Sequence, residues 1–510
     1  YNKYQEDTLK NRLGIPLIYG IDAVHGHNNV YGATIFPQNI GLGATNNPEL
    51  VYKISEATSL EVAATGIDWT FSPCLSSPED YRWGRTYEGF SSDPVLVEKL
   101  GKAAVEGYQN ALTNSGKKVV ACAKHFIGDG NTEFGTGMNG LVDRGNTVLT
   151  TDELKEKLLP KYQAAIDANV QTIMASYNSW NGVKCHGSKE LLTDILKVEM
   201  GFEGFVISDW QGIDEIPGNY KSDIITSINA GVDMVMVSGQ GQPYKKFMRL
   251  LKENVEEGSI SMERIDDAVS RILKVKLRNG LFSNPIVQND NLQVIGSDDH
   301  RNIARQAVRE SVVVLKNENL IPISKESKSI VVAGRGADNL GMQCGGWTIN
   351  WQGGQGDITI GTTILDGIKE SVSTETKVIH SKDGTDLGNV SGDLAIVVIG
   401  EDPYTEFFGD KDNLDLLEED IQTINNLKDK GYKVLVLLIS GRPMNIADHL
   451  DNWDGFAAIW LPGTEGNGVS DILFGDFQST GKLSYPWPLN AEDGANAPEN
   501  DLLYNIGFGL

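Results

Sequence analysis

The sequence has no run of 18 apolar residues, so it carries no candidate transmembrane helix. Its first ten residues, Tyr1 to Lys10, are polar and hold no signal-peptide core, although a leader removed earlier is compatible with a chain that does not begin with Met. Cysteine is scarce. The four present, Cys74, Cys122, Cys185 and Cys344, lie far apart and form no CxxC pair, which argues against a zinc site and against a disulfide framework. Basic residues are also few: 44 Lys plus Arg stand against 69 Asp plus Glu, a formal charge of -25. Such a field repels phosphate backbones and anionic lipid, so nucleic acid and membrane surfaces are poor partners and a neutral or cationic ligand is easier to accommodate.

What is present reads as a two-domain α/β chain. A length of 510 residues exceeds one ordinary core. Apolar strands are legible at 15–21, 69–72, 119–123, 170–176, 205–208 and 232–237, with helical stretches between them at 48–65, 93–111 and 151–168. Alternation of this kind predicts a parallel sheet, and six or more units in about 280 residues fit a (β/α)8-type barrel over residues 1–282. The pattern closes on a basic helix end at Asn279-Gly280, and 283–300 is polar, contains Pro285 and reads as a linker. From 301 to 510 a second α/β block follows, with buried strands at 330–333, 394–399, 434–439 and 457–460, as expected of an α/β sandwich with a mostly parallel sheet.

The first block gathers reactive side chains at the carbon ends of its strands: Asp22 and His25, Arg85 in the next loop, Lys124 and His125, Tyr177, then Asp209 and Trp210. An Asp after a strand is by itself most simply the N-cap of the next helix. Charged and ring-bearing groups at five of six strand ends exceed what capping requires, and that rim is where barrel enzymes keep their chemistry. The second block adds two unusual segments. Gly345 to Gly354 puts Trp347 and Trp351 in a glycine-rich loop, where indoles either stack on a ligand or fill a domain interface. Gly400 to Asp410 is an acidic and aromatic loop at a strand end. The turn Gly334-Arg335-Gly336 suggests a dinucleotide loop only weakly, since the third glycine is missing and an Arg lies inside it.

Together, Gly20-Ile21-Asp22-Ala23-Val24-His25-Gly26, Arg82-Trp83-Gly84-Arg85-Thr86-Tyr87-Glu88, Ala123-Lys124-His125-Phe126, Ser208-Asp209-Trp210, the tryptophan loop, Pro403-Tyr404-Thr405-Glu406 and Leu461-Pro462-Gly463-Thr464-Glu465-Gly466 resemble glycoside hydrolase family 3, and within it the exo-acting β-glucosidases and β-glucan exohydrolases. The resemblance implies a retaining β-glycosidase with its pocket between two domains. Asp209 matches the family's nucleophile and Glu406 its acid/base. Asp22, Arg85, Lys124, His125 and Tyr177 match residues that hold the terminal sugar, Trp210 and Trp351 match the pair that sandwiches the next one, and Trp347 would line the same cleft. It also implies a β-glucoside or oligosaccharide substrate, glucose as product, no cofactor, and a secreted or periplasmic location.

Elementary chemistry asks for the same residue types. Retention needs one ionised carboxylate to attack the anomeric carbon and one protonated carboxyl to serve the leaving oxygen, roughly 5 to 5.5 Å apart. Positive neighbours such as Lys124 and Arg85 would keep Asp209 ionised, and an aromatic setting could hold Glu406 protonated. Glu401 and Asp410 lie in the same loop and compete for the acid role; only the family motif favours Glu406. Three departures from the family pattern stand out. The chain begins shortly before what would be the family's second strand, so the barrel's first unit is expected to be missing; Tyr81 replaces a common Pro; and Glu215 occupies a position that is usually basic. Alternative readings are a β-xylosidase of the same family, a non-catalytic sugar-binding protein, and a nucleotide-dependent enzyme resting on Gly334-Arg335-Gly336 alone.

Overall fold

The computed structural model describes residues 1–111, 113, 116–287, 289–387 and 393–510; residue 288, inside the expected linker, lies outside them. By contacts the chain forms two compact units, one made of Tyr1–Ala23, Ser55–Ser76 and Gly101–Leu292, the other of Val24–Ile54, Ser77–Leu100 and Gln293–Leu510.

The first unit is a ladder of parallel strands met in chain order. Gly20–Ile21 pairs with Trp69–Thr70, Trp69 bridges Val120, Cys122–Phe126 pairs with Thr172–Ala175, that strand with Phe205–Ile207, and Ile207 bridges Met234. This is the strand arrangement of a (β/α) barrel. Its interior packs Trp69, Val120, Cys122, Met174, Phe205 and Ile207, with Val275 from a flanking helix. Burial pushes the Cys122 thiol up to about 12, so it behaves as a core residue.

The helices follow local chemistry. Thr150 and Glu153 each accept the other's backbone N–H at the start of Thr151–Lys157, with Lys155 and Lys157 in its last turn where they suit the dipole. A single helix is expected over 151–168, but the structure breaks it at Leu158 and restarts it as Leu159–Asp167. Pro160 has no N–H to donate and its ring excludes the carbonyl four residues earlier. Ser261 caps Met262–Arg278, the helix that ends the expected barrel block.

The second unit centres on a six-stranded sheet in the order Lys377–Ser381, Ser329–Ala333, Leu394–Gly400, Lys433–Ile439, Gly455–Trp460, Val313–Asn317. All neighbours are parallel except the last pair. The four strands read from the sequence are its central four, where two covered faces allow unbroken apolar runs. The two edge strands carry Lys, His, Ser and Asn and escape that reading.

Arg335, in the turn that hints at a nucleotide, is taken up by acceptors of its own unit. Its guanidinium binds Asp402, Asp420 and the Gly400 carbonyl. A phosphate at that place would meet two carboxylates, which removes the support for a nucleotide site.

Candidate active site

The residues expected in the site form two clusters, one in each unit. In the first unit, successive side chains of a strand ordinarily point to opposite faces. The ladder between Cys122–Phe126 and Thr172–Ala175 shifts register between Ala123 and Phe126, which accommodates one extra residue. Lys124 and His125, although adjacent, can therefore both turn to functional partners. The Lys124 ammonium donates to Asp22 Oδ1 at 3.1 Å. His125 holds Asp129 Oδ2 through Nδ1 at 2.7 Å, and Ser76 donates to the other oxygen of Asp129 at 2.7 Å. This leaves His125 Nε2 3.7 Å from Asp209 Oδ2.

Asp209 follows Phe205–Ile207 after a single residue, Ser208. Its backbone N–H donates to His186 Nε2 at 3.0 Å, and its Oδ1 accepts the Trp210 N–H at 2.6 Å. Its carboxylate is thus oriented by a backbone donor rather than by side-chain rotation alone. Tyr177 donates its hydroxyl to the Trp210 carbonyl, while the Trp210 ring is 62% exposed. Arg144 lies 3.8 Å above the Tyr177 ring. It also binds Glu215, which accepts Lys184 at 3.0 Å. The acidic residue at 215 is therefore matched by two cations from other segments, Arg144 and Lys184.

His186 is absent from the sequence expectation, yet it anchors Asp209. Because Nε2 accepts the Asp209 N–H, the network assigns its proton to Nδ1. Gly212 is the local signal for it: a Cβ there would lie 2.3 Å from His186 Nε2, so the ring fits only against glycine.

The second unit holds Arg85, Glu406, Trp347 and Trp351. Arg85 is gripped by Glu88 through two parallel bonds of 2.9 Å, a bidentate pair. Its remaining nitrogen, Nη1, lies 3.6 Å from Glu406 Oε1. Trp347 Nε1 donates to Glu88 at 3.0 Å, so one buried carboxylate positions both a cation and an indole. Glu88 figures in the sequence reading only as part of a motif. Arg85, expected beside Asp209, has Glu88 and Glu406 as its charged neighbours within its own unit, and Glu88 takes up much of the charge that Arg85 would otherwise present to Glu406.

Glu406 sits at φ +50°, a left-handed backbone that non-glycine residues rarely adopt. Gly84 allows it, because a Cβ at Gly84 would come 2.0 Å from the Glu406 carbonyl oxygen. Asp410 accepts the Gly84 N–H at 2.7 Å. Trp351 is 43% exposed and meets Phe407 and Phe408 edge to face at centroid distances of 6.3 and 5.6 Å. Tyr81, the replacement for Pro, is buried against Tyr485 and donates to the Pro486 carbonyl at 2.9 Å. His25 is a brace rather than a ligand: its ring bonds the Phe36 carbonyl at 3.1 Å and Thr348 at 3.1 Å.

Burial pushes both His186 and His25 down to about 4. A histidine with a lowered folded pKa leaves the unfolded chain holding more protons between the two values. The contribution of these two histidines to stability is therefore complete above pH 6.5 and falls as the pH drops toward 4, by roughly 3 kcal/mol for each. We expect the unfolding temperature to drop between pH 7 and pH 5, and the drop to shrink in His25→Gln. An unchanged pH slope in that variant contradicts the assignment.

Among the described residues no helix is long and apolar enough to cross a membrane. All four cysteines are free and buried. Residues 1–275 match the pattern described as "Glycosyl hydrolase family 3 N terminal domain", and residues 312–510 match "Glycosyl hydrolase family 3 C-terminal domain". The "Lysosomal beta glucosidase" of Dictyostelium discoideum is 32% identical over 516 residues, covering 94% of this chain and 61% of that protein. The "Beta-xylosidase" of Formosa agariphila is 32% identical over 518 residues, covering 95% and 70%. The crystal structure of an exo-1,3/1,4-beta-glucanase from a Pseudoalteromonas species superposes with a TM-score of 0.92 at 39% identity, covering 100% of this chain and 66% of that one. The chain thus spans about two thirds of the length of these relatives. With both family patterns matched in order and a fold superposable on a family enzyme, the chain belongs to glycoside hydrolase family 3.

Proposed function

We propose that this chain is a retaining, exo-acting β-glucosidase that releases terminal non-reducing β-D-glucose from β-glucans or β-gluco-oligosaccharides. The setting of Asp209 carries the reading: a carboxylate at a strand end, oriented by the Trp210 N–H and His186, beside His125. In this reading Asp209 attacks the anomeric carbon as the bond to the leaving oxygen breaks, and Glu406 gives that oxygen its proton. Water then attacks the glucosyl ester, Glu406 takes the proton back, and β-glucose leaves with Asp209 restored. Asp22, Arg85, Lys124, His125 and Tyr177 serve the terminal sugar, Trp210 and Trp351 the next, and Trp347 lines the same cleft. The residues named supply every proton transfer in this scheme.

The division into 1–282, a linker 283–300 and 301–510, with the nucleophile in the first part and the acid/base in the last, belongs to the same proposal, as does a secreted or periplasmic location. The test is proton NMR of an aryl β-glucoside digest. β-Glucose is expected as the first anomer; α-glucose would mean inversion and overturn the reading. A second reading, β-xylosidase, is supported by the name of the Formosa agariphila relative. Faster hydrolysis of an aryl xyloside than of the matching glucoside would favour it.

A further inference from the structure

Behind the loop that carries Glu406 lies a buried ion pair for which the proposed chemistry has no direct use. Arg442, 0% exposed, follows the strand Lys433–Ile439, and Glu401 follows the neighbouring strand Leu394–Gly400. Glu401 accepts Arg442 Nε at 3.1 Å and Lys411 at 3.2 Å on one oxygen. On the other it accepts the Tyr404 hydroxyl at 2.7 Å and the Gly441 N–H at 3.1 Å. Burial raises the Glu401 carboxyl, but Arg442 and Lys411 overcome it and hold the group below its ordinary value.

The rest of the guanidinium reaches in two directions. Nη1 donates to the carbonyls of Tyr81 and Arg82 at 3.0 and 3.3 Å, in the segment that leads to Arg85. Nη2 donates to the Gly409 carbonyl at 2.6 Å, three residues after Glu406. The guanidinium carbon stands 4.6 Å over the Tyr404 ring, two residues before Glu406. Tyr87 meanwhile donates to the Tyr404 carbonyl at 2.8 Å, and Lys411 N–H to the Arg82 carbonyl at 3.1 Å. One planar cation, together with these two bonds, therefore fixes the spacing between the chain segments of Arg85 and Glu406. Buried ion pairs contribute little net stability compared with apolar packing, so this degree of saturation points to geometry as its use. Lysine could keep the charge, but as a point donor it could not reach these divergent acceptors.

We propose that Arg442 and Glu401 are positioning residues for the proton-donating carboxyl of Glu406: the clamp fixes the left-handed turn at Glu406 at the distance from Arg85 that proton delivery requires. Neither group touches the sugar. The inference rests on the acid/base role proposed for Glu406, so Glu406→Ala is measured beside the clamp variants.

The readout is leaving-group dependence. A misplaced acid harms substrates whose leaving oxygen must be protonated, such as alkyl β-glucosides and cellobiose, and spares 2,4-dinitrophenyl β-glucoside, which departs without a proton. Arg442→Lys is expected to lose about 10²-fold or more in kcat/KM on the alkyl glucoside and less than about tenfold on the dinitrophenyl glucoside. Tyr404→Phe, which removes the hydroxyl that bonds Glu401 and contacts Arg442 but leaves the ion pair itself, is expected to show the same split in milder form and keeps the test open if Arg442→Lys does not fold. Equal losses on both substrates would reduce the clamp to general support and overturn the inference. If Glu406→Ala itself shows no split, the acid/base assignment fails instead, and the two failures are told apart.

Discussion

Asp209→Asn should lose turnover on the order of 10⁴-fold or more while the protein stays folded and still binds glucose. The substitution keeps the shape and removes the charge. An amide oxygen can still accept the Trp210 N–H, and the bond to His186 uses the backbone N–H of residue 209, which the substitution leaves in place. What is lost is the anionic oxygen that forms the glucosyl ester, and a carboxamide is a poor substitute. Calorimetry with glucose and turnover of an aryl glucoside measure the two properties separately. In the parent, a 2-deoxy-2-fluoro glucoside should leave its mass on the peptide containing Asp209. A label on any other carboxylate, or near-normal turnover in Asp209→Asn, would remove Asp209 from its role.

Glu406→Ala is the second large effect, and its signature differs. Loss should be about 10³-fold or more for an alkyl β-glucoside and small for the first step on dinitrophenyl glucoside. Added azide should then speed turnover of the dinitrophenyl substrate and yield β-glucosyl azide, because azide attacks the glucosyl ester without needing a base. The structure sharpens the comparison with the competing carboxylates. Glu401 is committed to Arg442, Lys411, Tyr404 and Gly441, and Asp410 to the Gly84 N–H. If azide restores Glu401→Ala or Asp410→Ala but not Glu406→Ala, the acid has been misassigned.

The fold and the site are legible in the sequence to different depths. Leu394–Gly400 can be read because a central parallel strand is apolar on both faces. Val313–Asn317 cannot, since an edge strand tolerates Lys316 and Asn317. Asp209 and Glu406, the proposed catalytic pair, are singled out through contiguous motifs that need no distant partner to be recognised. Glu88 lies inside such a motif, but its use depends on Trp347, 259 positions away. His186 has only the faint mark of Gly212, and Arg442 has none, because most of its acceptors are carbonyls, and every residue type has one.

The interleaving of the two units has a consequence for how the chain is made. Segments 24–54 and 77–100 belong to the unit completed only by 293–510, and Tyr81 meets the Pro486 carbonyl across 405 positions. During synthesis these early segments leave the ribosome long before their partners exist, and must wait without their own core. A polypeptide started at residue 301 would lack them altogether, leaving the Pro486 carbonyl without its Tyr81 donor and the Tyr485 ring without its neighbour.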